Sequence, residues 1–294
     1  MKLKQSIVEV PESDPFLGDK LARRNHAITL TQFISSLEEP FTISVEAGWG
    51  HGKSTFLRMW AQHLKIEQYS CIMFNAWEND FSEDPLIPFV TELGKAISQL
   101  DDGSGKATKK LQGISKSLRK AGIQIAKRTL PVAAKLLTAG ILDVDELVEA
   151  AAGDAIEKAI EEKFKEYETD RDTLDGFKVT LSKVVEALHE NGRKLPLVFM
   201  IDELDRCRPT FALALLERIK HIFNVDGIVF VIAIDREQLL ESIRTVYGFK
   251  TDAPRYLRRF IDLGYVLPDP QPEQYPIHLM SAFGVPRRVY ASEP

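Results

Sequence analysis

The sequence is poor in cysteine: only Cys71 and Cys207 occur among 294 residues, and neither sits in a Cys-x-x-Cys pair or a Cys/His cluster spaced to hold a metal. A reducing compartment is therefore expected. Long apolar runs are missing too. The best stretch, Leu130 to Leu142, is interrupted by Pro131 and Lys135 and falls short of the ~20 residues needed to cross a bilayer. Met1 to Pro11 scatters Lys2, Lys4 and Glu9 among apolar residues and lacks the continuous apolar core of a signal peptide. These absences predict a cytoplasmic protein without a transmembrane helix, leaving peripheral membrane association open. Positive charge is in short supply as well. With 38 Lys and Arg against 43 Asp and Glu, the formal charge is -5, which argues against a surface devoted wholly to nucleic acid.

What is present is an ordinary globular composition, 44% hydrophobic and 28% charged, enough for one large core or two smaller ones. Apolar spacing predicts a helix over Asp19 to Leu37. Phe41 to Glu46 is a short β-branched run after Pro40, and it leads through a glycine-rich stretch into an amphipathic pattern containing Leu57, Trp60 and Leu64. That is strand, loop, helix. Ser70 to Phe74, Leu195 to Ile201, Ile228 to Ile234 and Asp262 to Leu267 read as further strands. Helices are expected over Pro88 to Leu100, Thr173 to Glu190, Thr210 to Phe223, Asp235 to Tyr247 and Pro254 to Phe260. Strands alternating with helices imply an α/β fold, a parallel sheet covered on both faces.

Residues 101–170 break this texture. From 103 to 142 there are nine Lys and Arg and no acidic residue, whereas 143 to 168 are mainly acidic and helical in pattern. A helical insertion is expected. Its basic face has three open readings: packing on the acidic helices, contact with an anionic membrane through residues 106–135, or binding of a nucleic-acid backbone.

Two motifs carry the chemistry. Ala47-Gly48-Trp49-Gly50-His51-Gly52-Lys53-Ser54-Thr55 matches the loop pattern Gly-x4-Gly-Lys-Ser/Thr, with Ala47 replacing the leading glycine. Glycines let successive backbone N–H groups turn inward around a phosphate, Lys53 reaches the outer phosphates, and the Ser54 hydroxyl suits Mg2+. The second motif closes the apolar strand Leu195 to Ile201 with Asp202-Glu203. A buried parallel strand delivers its last residues to the ligand crevice. Asp202 is thereby expected at the metal opposite Ser54, with Glu203 orienting or deprotonating an attacking water. Asp205, Arg206 and Arg208 read equally well as a surface ion-pair network.

Further candidates surround these motifs. Asp235, at the end of Ile228 to Ile234, is a candidate catalytic sensor near the terminal phosphate and equally a good helix N-cap. Asn75, Trp77 and Glu78 can face the crevice, with Trp77 expected as a packing anchor. Among Arg255, Arg258 and Arg259, Arg258 and Arg259 are catalytic candidates that can reach a neighbouring subunit's nucleotide.

The blocks Ser44 to Ser54, Phe74 to Trp77, Ile201 to Cys207, Val231 to Asp235 and Tyr256 to Asp262, leading to Leu267-Pro268, resemble the KAP family of P-loop NTPases. The resemblance implies a magnesium-dependent ATPase domain over residues 14–268, a three-layer α/β sandwich with five parallel strands in the order 5-1-4-3-2, and an insertion at 101–170. It also implies a C-terminal helical lid, for which residues 269–294 are expected to form only a shortened tail. ATP and Mg2+ are the implied cofactors. An ATP-driven conformational or assembly switch, a homo-oligomer joined through the nucleotide face, and a role in defence against phage follow from the same resemblance. A nucleic-acid-stimulated motor and a small-molecule kinase are the competing functions; Glu203 disfavours the kinase, and the missing Asn-Lys-x-Asp disfavours GTP.

Overall fold

The computed structural model describes residues 10–19, 21–99, 175–222 and 224–269, with isolated positions 113, 116, 117 and 172. Nearly all of the 101–170 insertion and all but the first residue of the 269–294 tail lie outside the described residues. Five strands form one sheet: β1 Phe41–Glu46, β2 Tyr69–Asn75, β3 Lys194–Asp202, β4 Ile228–Ile234 and β5 Leu263–Val266. Their order is β2-β3-β4-β1-β5, and every pairing is parallel. The architecture is thus the expected α/β fold, with β4 inserted between β1 and β3.

The interior strands are apolar throughout because both faces are covered. Along β3, Leu197, Phe199 and Ile201 enter one core while Val198 and Met200 enter the other. Along β4, Ile228, Phe230, Ile232 and Ile234 alternate with Val229, Val231 and Ala233 in the same way. This period of two is the strand's own geometry. On the first face, helices Leu86–Gln99, 175–190, Pro209–Ile222 and Arg236–Tyr247 pack over the stacked rings of Phe199 and Phe230, whose centroids are 5.0 Å apart. Helices Arg24–Ser35 and Lys53–Ile66 cover the second. There Trp60 is fully buried, and its indole N–H donates to the Thr31 hydroxyl at 2.9 Å. Each such large apolar side chain contributes about 1.5–3 kcal/mol relative to exposure.

The first helix begins at Arg24, five residues later than the apolar spacing suggests. Asp19 explains the delay. Its carboxylate accepts from the Leu21 and Arg24 amides at 3.2 and 2.9 Å, and Ala22 adopts a left-handed φ of 53°, so the segment is held as a turn.

Register brings the chemistry together. Asn75 pairs with Asp202 across β2 and β3, and Glu46 pairs with both Ile234 and Val266. The carboxyl ends of β1, β2, β3 and β4 therefore open on one edge. Since β4 alone separates β1 from β3, the loop after Glu46 and the carboxylates after Ile201 lie two strand spacings apart, about 10 Å.

Candidate functional site

The stretch Ala47 to Gly52 connects β1 to helix Lys53–Ile66 and is anchored at its start by the Ala47 amide, which donates to the Ile234 carbonyl of β4 at 3.3 Å. Gly50 and Gly52 both have φ of 80°, a conformation that a side chain disfavours by roughly 1–2 kcal/mol. A Cβ at Gly52 would also crowd Leu21 Cδ1 at 3.3 Å, so the leucine tip would have to give way slightly. The helix opens with Lys53, Ser54 and Thr55 and has no acidic residue in its first turn. Its amino-terminal N–H groups and partial positive charge are thus suited to an anion.

A cavity of about 200 Å³ lies over this turn. It is lined by Gly48 to Gly50, Gly52 to Thr55, Asp202, Glu203, Asp205 and Arg206. The Lys53 ammonium sits within it, donating to the Ala47 and Gly48 carbonyls at 2.7 and 3.2 Å. Burial pushes its pKa below the usual lysine range, opposed by Asp205, Asp235 and Asp202 and reinforced by Arg206. Asp202, also buried, is pushed the other way: desolvation raises its carboxyl, opposed by the neighbouring Ser54 side chain and by the Glu203 amide, which donates to it at 2.9 Å. The glycine-rich turn and the strand-end carboxylates therefore meet, with Ser54 and Asp202 lining both the cavity and the wider cleft beside it.

Glu203 adopts φ 60° and ψ 29°, left-handed for a non-glycine residue. This reverses the chain into the short 3-10 turn Leu204–Arg206 and aims the carboxylate back at the site. Its Oε1 pairs with Arg206 Nη1 at 2.7 Å, and its Oε2 accepts from Asn75 Nδ2 at 3.1 Å. A wider cleft of about 610 Å³, lined by Ser54, Arg58, Asn75, Glu78, Asp202 and Glu203 among others, opens from the same residues. Asn75 and Glu78 thus do face the crevice.

Three expectations are changed by the structure. Trp77 is more than half exposed, with the Arg206 guanidinium 5.8 Å from its ring centroid; it is a shelf, because the Trp77–Asn79 turn lies outside the core. Asp205 is buried, and its Oδ2 accepts from the Trp49 indole at 2.7 Å. Arg206 turns into the site, leaving only Arg208 in the expected surface pairing, to Asp80 at 2.9 Å. The missed signal was the turn itself: a left-handed Glu203 brings the residue three positions on back across the strand end.

Asp235 caps helix Arg236–Tyr247, accepting from the Gln238 amide at 3.4 Å, and lies near enough to act on Lys53 electrostatically. Arg255, Arg258 and Arg259 are exposed, the last lying over Tyr256; none lines the cavity or the cleft. Sequence reading also overlooked two residues beneath the loop. Glu46 is buried, accepting from Ser44 at 2.6 Å and pairing with Arg236 at 3.0 Å. Buried Arg23 donates to the carbonyls of Pro268 and His51 at 2.9 and 3.3 Å. Cys71 and Cys207 are buried, and burial raises both thiols to about 12, so neither is a nucleophile.

Among the described residues no helix is long and apolar enough to cross a membrane. The sequence matches the KAP family P-loop domain over residues 23–289. A search of curated proteins finds no significant match. Similar solved structures include the Aeropyrum pernix ORC2 protein in its ADPNP-ADP complexes, at 14% identity and a TM-score of 0.39, covering 92% of this chain and 52% of that one. The ADP form of the same protein is 13% identical with a TM-score of 0.38, covering 100% and 57%. The chain thus spans a little over half the length of these structures.

Proposed function

This chain belongs to the KAP family of P-loop domains, and from that premise we propose that it binds ATP and hydrolyses it with Mg2+. The observation that carries the reading is the convergence of Lys53, Ser54, Asp202 and Glu203 on one cavity. A hydroxyl and a carboxylate are hard oxygen donors suited to Mg2+, which takes few protein ligands and completes its shell with phosphate and water. Bound between Ser54 and Asp202, the ion would neutralise phosphate charge.

In this mechanism the Lys53 ammonium exchanges its two carbonyl partners for phosphate oxygens, a stronger charge-assisted contact. The amides from Gly48 to Thr55 hold the remaining oxygens. Glu203, fixed by Asn75 and Arg206, accepts a hydrogen bond from the attacking water and orients it. Asp235 is assigned the sensing role, its capping bond fixing the carboxylate near Lys53. Arg258 and Arg259, being exposed, can act only on a second molecule's nucleotide, so a homo-oligomer is the setting in which they would matter. A conformational or assembly switch in phage defence is a proposal drawn from the family resemblance, and peripheral membrane contact through the basic insertion and nucleic-acid contact are proposals drawn from its charge pattern.

The test is phosphate release from ATP, measured with and without DNA, RNA and anionic vesicles, beside nucleotide binding. Lys53→Ala is expected to lose binding. Glu203→Gln is expected to keep binding and lose ~10²-fold or more in turnover. A parent protein without affinity for adenine nucleotides, or Glu203→Gln turning over at the parent rate, overturns the reading.

A further inference from the structure

Arg206 is the residue in the cavity whose presence the phosphate grip does not explain. Its guanidinium pairs with the Glu203 carboxylate at 2.7 Å and lies 5.8 Å from the Trp77 ring centroid. It lines the same cavity as Lys53. Two cations converging on one glycine-lined turn repel each other, and an anion bound between them relieves that repulsion. Arg206 is moreover held on a backbone built for it, since left-handed Glu203 and the Leu204–Arg206 turn bring its side chain back over the strand end. It is nearly half exposed, which leaves it free to shift by the small distance from carboxylate to phosphate. Trp77, more than half exposed, supplies a surface on which a flat guanidinium keeps its orientation while moving.

Building on the ATPase reading above, we propose that Arg206 is a catalytic arginine supplied by the chain to its own nucleotide, contacting the terminal phosphate as it departs. The attacking water's oxygen bonds to the terminal phosphorus while the bridging P–O bond breaks, and its electron pair leaves on ADP. The proton from that water passes by way of Glu203 to the released phosphate. Negative charge gathers on the transferring oxygens and the bridging oxygen, and a planar guanidinium one side-chain length from Glu203 meets it there. Arg206 is thus distinguished from Arg258 and Arg259, which line neither the cavity nor the cleft of their own chain.

The experiment compares parent, Lys53→Ala, Arg206→Ala and Arg206→Lys in ATP turnover, ATP affinity and affinity for ADP with aluminium fluoride. Arg206→Ala is expected to lose roughly 10³-fold in kcat with ATP affinity within about threefold of parent, and to lose aluminium fluoride trapping. Arg206→Lys should recover little, because a point charge cannot bridge two oxygens. Retained ATP affinity shows that the variants are folded. In a Glu203→Gln background Arg206→Ala should still weaken aluminium fluoride trapping; no further weakening would make Arg206 a holder of Glu203 alone and overturn the proposal. So would an Arg206→Ala protein turning over at the parent rate while Lys53→Ala is dead. If parent and Lys53→Ala release phosphate equally, the ATPase reading itself falls and takes the arginine's role with it.

Discussion

Gly264 on β5 faces the buried Glu46 carboxylate so closely that an added Cβ would lie 2.9 Å from Oε1 and 3.5 Å from Cδ. Glu46 cannot simply swing aside. Ser44 and Arg236 hold the same oxygen at 2.6 and 3.0 Å, so Gly264→Ala must stretch one or both contacts. Overpacking of this kind costs about 1–3 kcal/mol, while removing a glycine from the unfolded chain returns about 0.5–1 kcal/mol. The net loss is about 1 kcal/mol, or 2–4 °C in Tm for a domain of this size. Thermal and urea unfolding of Gly264→Ala should show it. In a Glu46→Ala background the obstructing atoms are gone and only ordinary contact with Ser44 Oγ at 3.5 Å remains; there the same substitution should be neutral or stabilising. An equal loss in both backgrounds, or none in the parent, would refute the steric argument.

Asp202→Asn should raise the Tm of the nucleotide-free protein at neutral pH while abolishing Mg-ATP binding. Because burial raises the Asp202 carboxyl in the folded state, the native protein binds more protons than the unfolded chain in the acidic window just above the ordinary aspartate range. The carboxyl therefore supports the fold at low pH and opposes it once pH has risen through the raised value. The variant's advantage should fade on acidification, as Tm measured from pH 7 to pH 4 would show; an advantage that grows in acid would contradict it. Gly52→Ala, at φ 80° and 3.3 Å from Leu21, should lose roughly 1–2 kcal/mol of stability and nucleotide affinity together, measured by unfolding and by binding of a fluorescent ATP analogue.

The sheet was legible because its signals are local. β1 and β4 are β-branched runs bounded by turn residues, and both are observed with the residue limits read from sequence. The phosphate turn was legible for the same reason, as glycine spacing dictates backbone shape. What escaped depends on contacts remote in sequence. The Trp49–Asp205 bond spans 156 positions and the Arg23–Pro268 bond 245, and an Asp-Arg pair after a strand gives no sign of whether it will be covered. Asn75 beside Asp202 is intermediate, since recognising β2 and β3 as neighbours suffices to put it near Glu203.

Arg23 ties together the two segments that leave the neighbouring strands β1 and β5. One guanidinium, sealed from water, grips the crest of the phosphate turn at His51 and the segment leaving β5 at Pro268, and His51 itself reaches Asp269 at 3.3 Å. A displacement of the polypeptide just past the last strand thus has a direct route to the glycine-rich turn through the two hydrogen bonds of one side chain.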